Sequence, residues 1–221
     1  MNRRTFVASA AGSLGFAQIS AQSGPSVRLG IDLFSIRSQG WTPFEYLDYC
    51  ARQGAKVVHF SEIRFIGSLE PANLKQVRAH AERLGIQVEI GMRSICPSSQ
   101  MFDSKQGSAE EQLTRMIVAA QVVGSPIVRA VLGSMEDRKT PGIEPRIDDT
   151  VKVLRAIRSR VLDAGIKIAI ENHAGDMQAR ELKHLIEAAG KEHVGVCLDS
   201  GNPLWTIEDP HLTLETLYPY V

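Results

Sequence analysis

The chain has 221 residues, 43% hydrophobic and 23% charged, enough for one large domain with a sizeable core and unlike a disordered chain. Lys plus Arg and Asp plus Glu number 25 each, for a formal charge of zero. That balance argues against nucleic acid or an anionic membrane surface as partner, fits a small neutral ligand or a metal complex, and is compatible with a homo-oligomer.

Residues 1–23, "MNRRTFVASAAGSLGFAQISAQS", carry two adjacent arginines, a modest apolar stretch and then small polar residues. This is the layout of a secretion signal, and Arg3 and Arg4 followed by Thr5, Phe6 and Val7 resemble the twin-arginine type, which predicts a periplasmic or otherwise exported protein. The stretch Phe6 to Ile19 is too short and too weakly apolar to predict a membrane span. Cys50, Cys96 and Cys197 lie far apart without CxxC spacing, so no disulfide framework is expected.

From residue 27 onward, short apolar runs alternate with longer amphipathic ones: "VRLGIDLF", "AKVVHF", "IQVEIGM", "PIVRAVLG", "IKIAIEN" and "HVGVCLDS". Between them lie helical patterns such as Leu74, Val77, Ala81, Leu84 and Ile147, Val151, Leu154, Val161. Gly54, Gly85, Gly124, Gly165 and Gly190 each fall between a helix pattern and the next strand, where a left-handed cap is expected. These are β/α units, and no GxGxxG follows the first strand, which weakens a dinucleotide-binding sheet.

Side-chain parity separates the remaining architectures, because alternate strand residues face opposite sides. Ile168 and Ile170 share a face, and Ala169 and Glu171 the other. Val194, Val196 and Leu198 oppose Gly195, Cys197 and Asp199, and Ile86, Val88 and Ile90 oppose Gln87, Glu89 and Gly91. One face is greasy and the other small or ionisable, whereas a doubly wound sheet needs both faces apolar. The predicted fold is therefore α/β, a (β/α)8 TIM barrel over residues 27–221, incomplete at about six β/α units. Asp32, His59, Glu89, Arg129, Glu171 and Asp199 point inward near the strand ends. At "LETLYPYV" a sixth helix is expected to end and a seventh strand to begin.

Buried carboxylates need partners. Glu171 and Asp199 end adjacent strands on one parity, so their oxygens are placed to converge on one hard or borderline cation. "IAIENHAGD", "VGVCLDSGN" and the interval between them resemble the xylose-isomerase-like β/α-barrel superfamily, which includes sugar isomerases, sugar epimerases and apurinic endonucleases. The resemblance implies one divalent metal ion (Mn, Mg, Co or Zn) held by Glu171 and Asp199. It implies further ligands, a histidine and a glutamate on the seventh and eighth strands, that fall after Val221. It also implies a carbohydrate substrate and isomerisation or epimerisation through an enediolate, with Glu171 doubling as acid/base. The endonuclease branch is disfavoured, because Asn202 stands where those enzymes carry a histidine and there is no basic excess. Two other readings stay open: a lyase or hydrolase acting on oxidised (3-keto) glycosides, and a non-catalytic sugar-binding barrel.

The other candidate substrate contacts each have a structural alternative. His59 is equally explained as a packed histidine, and Glu89 as an ion-pair partner of Arg129 or Arg93. His173 lines the pocket or caps the following loop, and Asp176 starts the fifth helix as an N-cap. Trp205, with Pro203, forms a sugar-stacking wall or a packed loop. Asn202 completes the set, and Cys197 is expected to be a small core residue. The long loops "RSICPSSQMFDSKQGS" and "GSMEDRKTPGIEPR" are where specificity is expected to reside.

Overall fold

The computed structural model describes residues 27–221, so the predicted signal over residues 1–23 lies outside the described residues. Six strands form one sheet: β1 (Gly30–Asp32), β2 (Val57–Phe60), β3 (Gln87–Ser94), β4 (Ile127–Val131), β5 (Lys167–Glu171) and β6 (Val194–Cys197). All pairs are parallel and the spatial order equals the chain order, β1-β2-β3-β4-β5-β6. A doubly wound sheet reverses its strand order at a switch point, and this sheet has none. It is a TIM-barrel-type sheet, not closed among the described residues.

The greasy parity packs outward under the helices. Val58, Phe60, Val88, Ile90, Val128, Ala130, Ile168, Ile170, Val194 and Val196 are all buried. Burying one such aliphatic side chain contributes about 1.5–3 kcal/mol, so this face is the main cohesive layer. Helices α1 (Pro43–Arg52), α2 (Ile63–Ile66), α3 (Pro71–Leu84), α4 (Ala109–Val123), α5 (Glu144–Ala156), α6 (Arg158–Ala164), α7 (Ala179–Ala189) and α8 (Pro210–Leu217) follow in turn. Of the predicted stripes, Leu74, Val77 and Ala81 of α3 and Ile147, Val151, Leu154 and Val161 of α5 and α6 are buried, with Leu84 half-buried; Leu182, Leu185 and Ile186 bury the matching face of α7. None of these helices is long and apolar enough to cross a membrane.

Four details depart from the sequence-based expectation. The first strand is only three residues long, because the Asp32 side chain accepts the Phe34 amide at 2.8 Å and turns Leu33–Gln39 into 3-10 helix. The single helix expected over Ile147 to Val161 breaks at Ile157, whose φ of −96° and ψ of 4° separate α5 from α6. In place of a seventh strand, Tyr218–Tyr220 form a 3-10 turn after α8. Gly190 closes α7 at φ 125°, ψ 112° rather than in the left-handed cap that Gly85, Gly124 and Gly165 adopt.

Candidate functional site

Strand register places the ionisable residues in rows across the inner face. Asp32 pairs with His59 and His59 with Glu89, Gly91 pairs with Arg129, and Glu171 pairs with Val131 and Cys197. Glycine at position 91 is required for this arrangement: a Cβ there would lie 2.8 Å from the Ser61 carbonyl oxygen and 3.2 Å from Cδ of Arg129. The missing side chain lets the Arg129 arm cross β3.

Arg129 and Glu171 form the centre. Their side chains are each about 10% exposed, and Arg129 Nε donates to Glu171 Oε2 at 2.5 Å. Arg129 Nη1 donates to the Met92 carbonyl at 3.2 Å. Burial alone would lower the guanidinium pKa, and the carboxylate of Glu171 beside it outweighs that effect and raises it. The second oxygen, Oε1, receives only a 3.4 Å contact from Asn202 Nδ2. Asp199 follows β6; its Oδ1 accepts the amides of Gly201 at 2.7 Å and Asn202 at 2.9 Å. Asn202 thus touches both carboxylates, through its side chain and its backbone.

His59 and Glu89 form a second pair, Nδ1 to Oε2 at 3.3 Å. Glu89 therefore takes neither Arg129 nor Arg93 as its ion-pair partner. With Nδ1 serving Glu89, His59 Nε2 is buried without a partner. Asp32 accepts the Ser61 hydroxyl at 2.5 Å beside them. Asp32, His59 and Glu89 line a cavity of about 380 Å³ with Gly30 and Val57.

His173 Nδ1 donates to the Gly133 carbonyl at 2.8 Å, which ties the end of β5 to the segment after β4. Asp176 is not the cap of α7, a position Gln178 holds. It is fully buried, and its carboxylate accepts the amides of Gly133, His173 and Met177 at 3.1, 3.0 and 2.6 Å. Burial pushes its pKa up to about 8 against the pull of those three donors. Trp205, 61% exposed, sits in the 3-10 turn Asn202–Thr206, with its Cβ against Gly175. Burial and then the Glu171 carboxylate push the Cys197 thiol up to about 12, so it is no thiolate nucleophile at neutral pH.

As organising residues, Asn172 and Asp137 go unseen in the sequence, and Asp176 reads as a helix cap. Asn172 exchanges two hydrogen bonds with the Asp199 backbone, Nδ2 to O at 2.7 Å and N to Oδ1 at 2.8 Å. Asp176 ties the segments after β4 and β5. Asp137 ties those after β3 and β4, accepting the Ser99 hydroxyl at 2.9 Å and the Ser134 amide at 3.0 Å. Only Asp137 had a local signal, the S-x-x-D spacing from Ser134 that marks a capping box.

A family profile described as "Xylose isomerase-like TIM barrel" matches residues 47–220. A 3-oxo-isoapionate decarboxylase of Pectobacterium atrosepticum is 26% identical over 169 residues, which are 76% of this chain and 54% of that relative. The chain thus spans about half the length of this curated relative. Two solved structures share the fold. A D-psicose 3-epimerase, determined in the presence of D-fructose, superposes with a TM-score of 0.69 at 18% identity, covering 88% of this chain and 71% of its own. The 3-keto-D-glucoside 4-epimerase of E. coli gives 0.68 at 13% identity, covering 89% and 77%. With six parallel strands in barrel order, an ionisable inner face and a family match over residues 47–220, the chain belongs to the xylose isomerase-like TIM-barrel family.

Proposed function

We propose that the protein is an enzyme acting on a keto-sugar or sugar derivative at the carbon next to its carbonyl, in the manner of an isomerase or epimerase. The observation that carries this reading is the state of Glu171 at the end of β5. Its Oε2 is fixed by Arg129 at 2.5 Å, while Oε1 has only the 3.4 Å contact with Asn202. A carboxylate oriented through one oxygen and open at the other is arranged to take a proton from a substrate carbon and return it.

A divalent cation is part of this proposal. The donor chemistry fits in part: Glu171 and Asp199 supply two carboxylates of the kind hard and borderline cations take. Among the described residues no group of three His, Cys, Asp or Glu side chains is close enough to hold an ion, so these two are half a shell. When bound, such an ion supplies Lewis-acid stabilisation of charge developing on the substrate oxygens. The chain's own residues do the rest. Asn172 ties the Asp199 backbone to the residue after Glu171, Arg129 orients Glu171, and the buried, unpartnered His59 Nε2 is proposed to hydrogen-bond a substrate hydroxyl. His173, after β5, and Asn202 and Trp205, in the turn after β6, are further proposed substrate contacts.

The 26% identity to a decarboxylase favours one second reading. In a 3-oxo sugar acid the bond to the carboxylate breaks, CO2 leaves, its electron pair enters the neighbouring carbonyl, and the resulting enediolate is reprotonated at carbon. Both reactions share that intermediate, so the products decide. Incubation with manganese and a panel of keto-sugars, 3-keto-glycosides and 3-oxo sugar acids leaves the carbon skeleton whole under the first reading and releases CO2 under the second. Binding without any conversion sinks both and supports a sugar-binding barrel. We also propose export by the twin-arginine route, on the strength of residues 1–23.

A further inference from the structure

A second cavity, of about 270 Å³, opens at the same end of the sheet between the segments that follow β2 and β3. Ile63, Met92 and Met101 give it an apolar wall. It adjoins the central pair directly, because Met92, whose carbonyl accepts from Arg129, is part of that wall. At this size it suits a ligand no larger than a monosaccharide; drug-sized ligands fill about 300–1,000 Å³.

Its charges are unequally committed. Glu62 is paired with Arg64 at 2.7 Å. Asp103 caps the turn Ser104–Gln106, with Oδ1 accepting the Lys105 amide at 3.1 Å and Oδ2 the Gln106 side chain at 2.9 Å. The Gln112 amide nitrogen is buried in hydrogen bonds to the carbonyls of Asp103 and Gly107, both at 2.9 Å. Arg93, four residues after Glu89 on β3, is exposed and has no hydrogen-bond or ion-pair partner among the described residues. Hydrogen bonds from the Gln106 side chain and the Lys105 amide hold the Asp103 carboxyl low, and the nearby Arg93 charge helps; those two bonds take its oxygens, so the Arg93 N–H donors are left for one planar anion.

We propose that Arg93 is the anchor for the carboxylate of a sugar acid, so that the substrate class is the keto-sugar acids rather than neutral sugars. This rests on the reading of the Glu171 end of the sheet as the reacting site. A phosphate is the poorer match, since phosphate sites use clustered backbone amides at a helix N-terminus. Of the two helix N-termini beside the cavity, the four-residue α2 has Glu62 at its N-cap, whose carboxylate opposes a phosphate, and α4 is closed by its own capping box of Ser108 and Glu111.

The test is calorimetric titration of the full chain with 2-keto-D-gluconate and 5-keto-D-gluconate, their neutral counterparts D-fructose and L-sorbose, and D-fructose 6-phosphate. The acids are expected to bind about 10- to 100-fold tighter than the neutral sugars, the worth of one charge-assisted pair. Arg93→Gln removes that preference and leaves neutral-sugar affinity and the melting temperature unchanged, Arg93→Lys keeps part of it, and Arg64→Gln leaves it intact. Equal affinity for acids and neutral sugars, a preference that survives Arg93→Gln, or no binding of either acid overturns the proposal. An Arg93-dependent preference for D-fructose 6-phosphate overturns the carboxylate assignment. Neutral-sugar binding lost in Glu171→Gln upholds the reacting site even where the Arg93 preference is absent. Arg93-dependent binding of acids without proton exchange on any sugar does the reverse.

Discussion

Asn172 and Asp199 hold each other by a reciprocal pair of hydrogen bonds, side chain to backbone in both directions, at 2.7 and 2.8 Å. The contact joins the residue after Glu171 to the end of β6, so it fixes where the two candidate ligand carboxylates stand relative to each other. Asn172→Ala removes both bonds and leaves the N–H and C=O of the half-buried Asp199 without those partners, which costs about 1–3 kcal/mol. Chemical denaturation should show that loss with an unchanged slope, and affinity for manganese should fall with it. An Asn172→Ala protein as stable as wild type would show that the pair does not organise the site.

The Arg129–Glu171 pair is buried on both sides, and breaking one partner strands the other. Arg129→Met is therefore expected to destabilise by about 3–5 kcal/mol, and the double variant Arg129→Met, Glu171→Leu by much less. A double-mutant cycle on unfolding free energies measures the coupling. Additive losses would mean the two residues act independently despite the 2.5 Å contact.

Asp176 makes stability depend on pH. Its folded pKa of about 8 lies above the ordinary carboxyl value of 3.8, so the folded state holds a proton that the unfolded chain has released. The stability tied to that proton is complete below about pH 4 and is lost as pH rises towards 8. Its slope is at most about 1.4 kcal/mol per pH unit. Asp176→Asn cannot titrate, so the difference between wild type and variant in urea unfolding should shrink on that side as pH rises from 4 to 8. A difference that stays flat across the window contradicts the assignment.

Gly175 has a φ of +78°, and a Cβ there would meet Trp205 Cβ at 3.1 Å and Met135 Cβ at 3.3 Å. Gly175→Ala combines a strained backbone with crowding against two loops and is expected to cost about 1–3 kcal/mol. It should also shift the fluorescence of Trp205. An unshifted spectrum would place the strain elsewhere.

Export has its own check. Arg3→Lys with Arg4→Lys should leave the protein in the cytoplasm of a bacterial host when cells are fractionated. Unimpaired secretion of the double variant would remove the twin-arginine reading.

The barrel was legible because its outer face must be apolar on alternate residues: Ile168, Ile170, Val194 and Val196 announce the strands and leave Glu171 on the other side by parity alone. Glu171, Arg129, His59 and Glu89 were legible as inward residues, but their pairing was not. Which carboxylate takes Arg129 depends on the β3–β4–β5 register and on the gap at Gly91, and neither is a local property. Asp176 was read as a helix cap because Asp before a helix usually is one, and burial against Gly133, forty-three residues earlier, has no sequence signature. Arg93 was likewise illegible, since an arginine's lack of a partner appears only once Glu62 and Asp103 are seen to be taken.

The central claim is that Glu171 moves a proton at the carbon beside a sugar carbonyl. Proton NMR of the keto-sugar panel in D2O with manganese and the protein measures that step whether or not product accumulates. Deuterium is expected at the α-carbon with wild-type protein and at least a hundredfold less with Glu171→Gln, compared at a temperature where circular dichroism shows that the variant, weakened by loss of its charge beside Arg129, is still folded. Exchange undiminished in Glu171→Gln would contradict it.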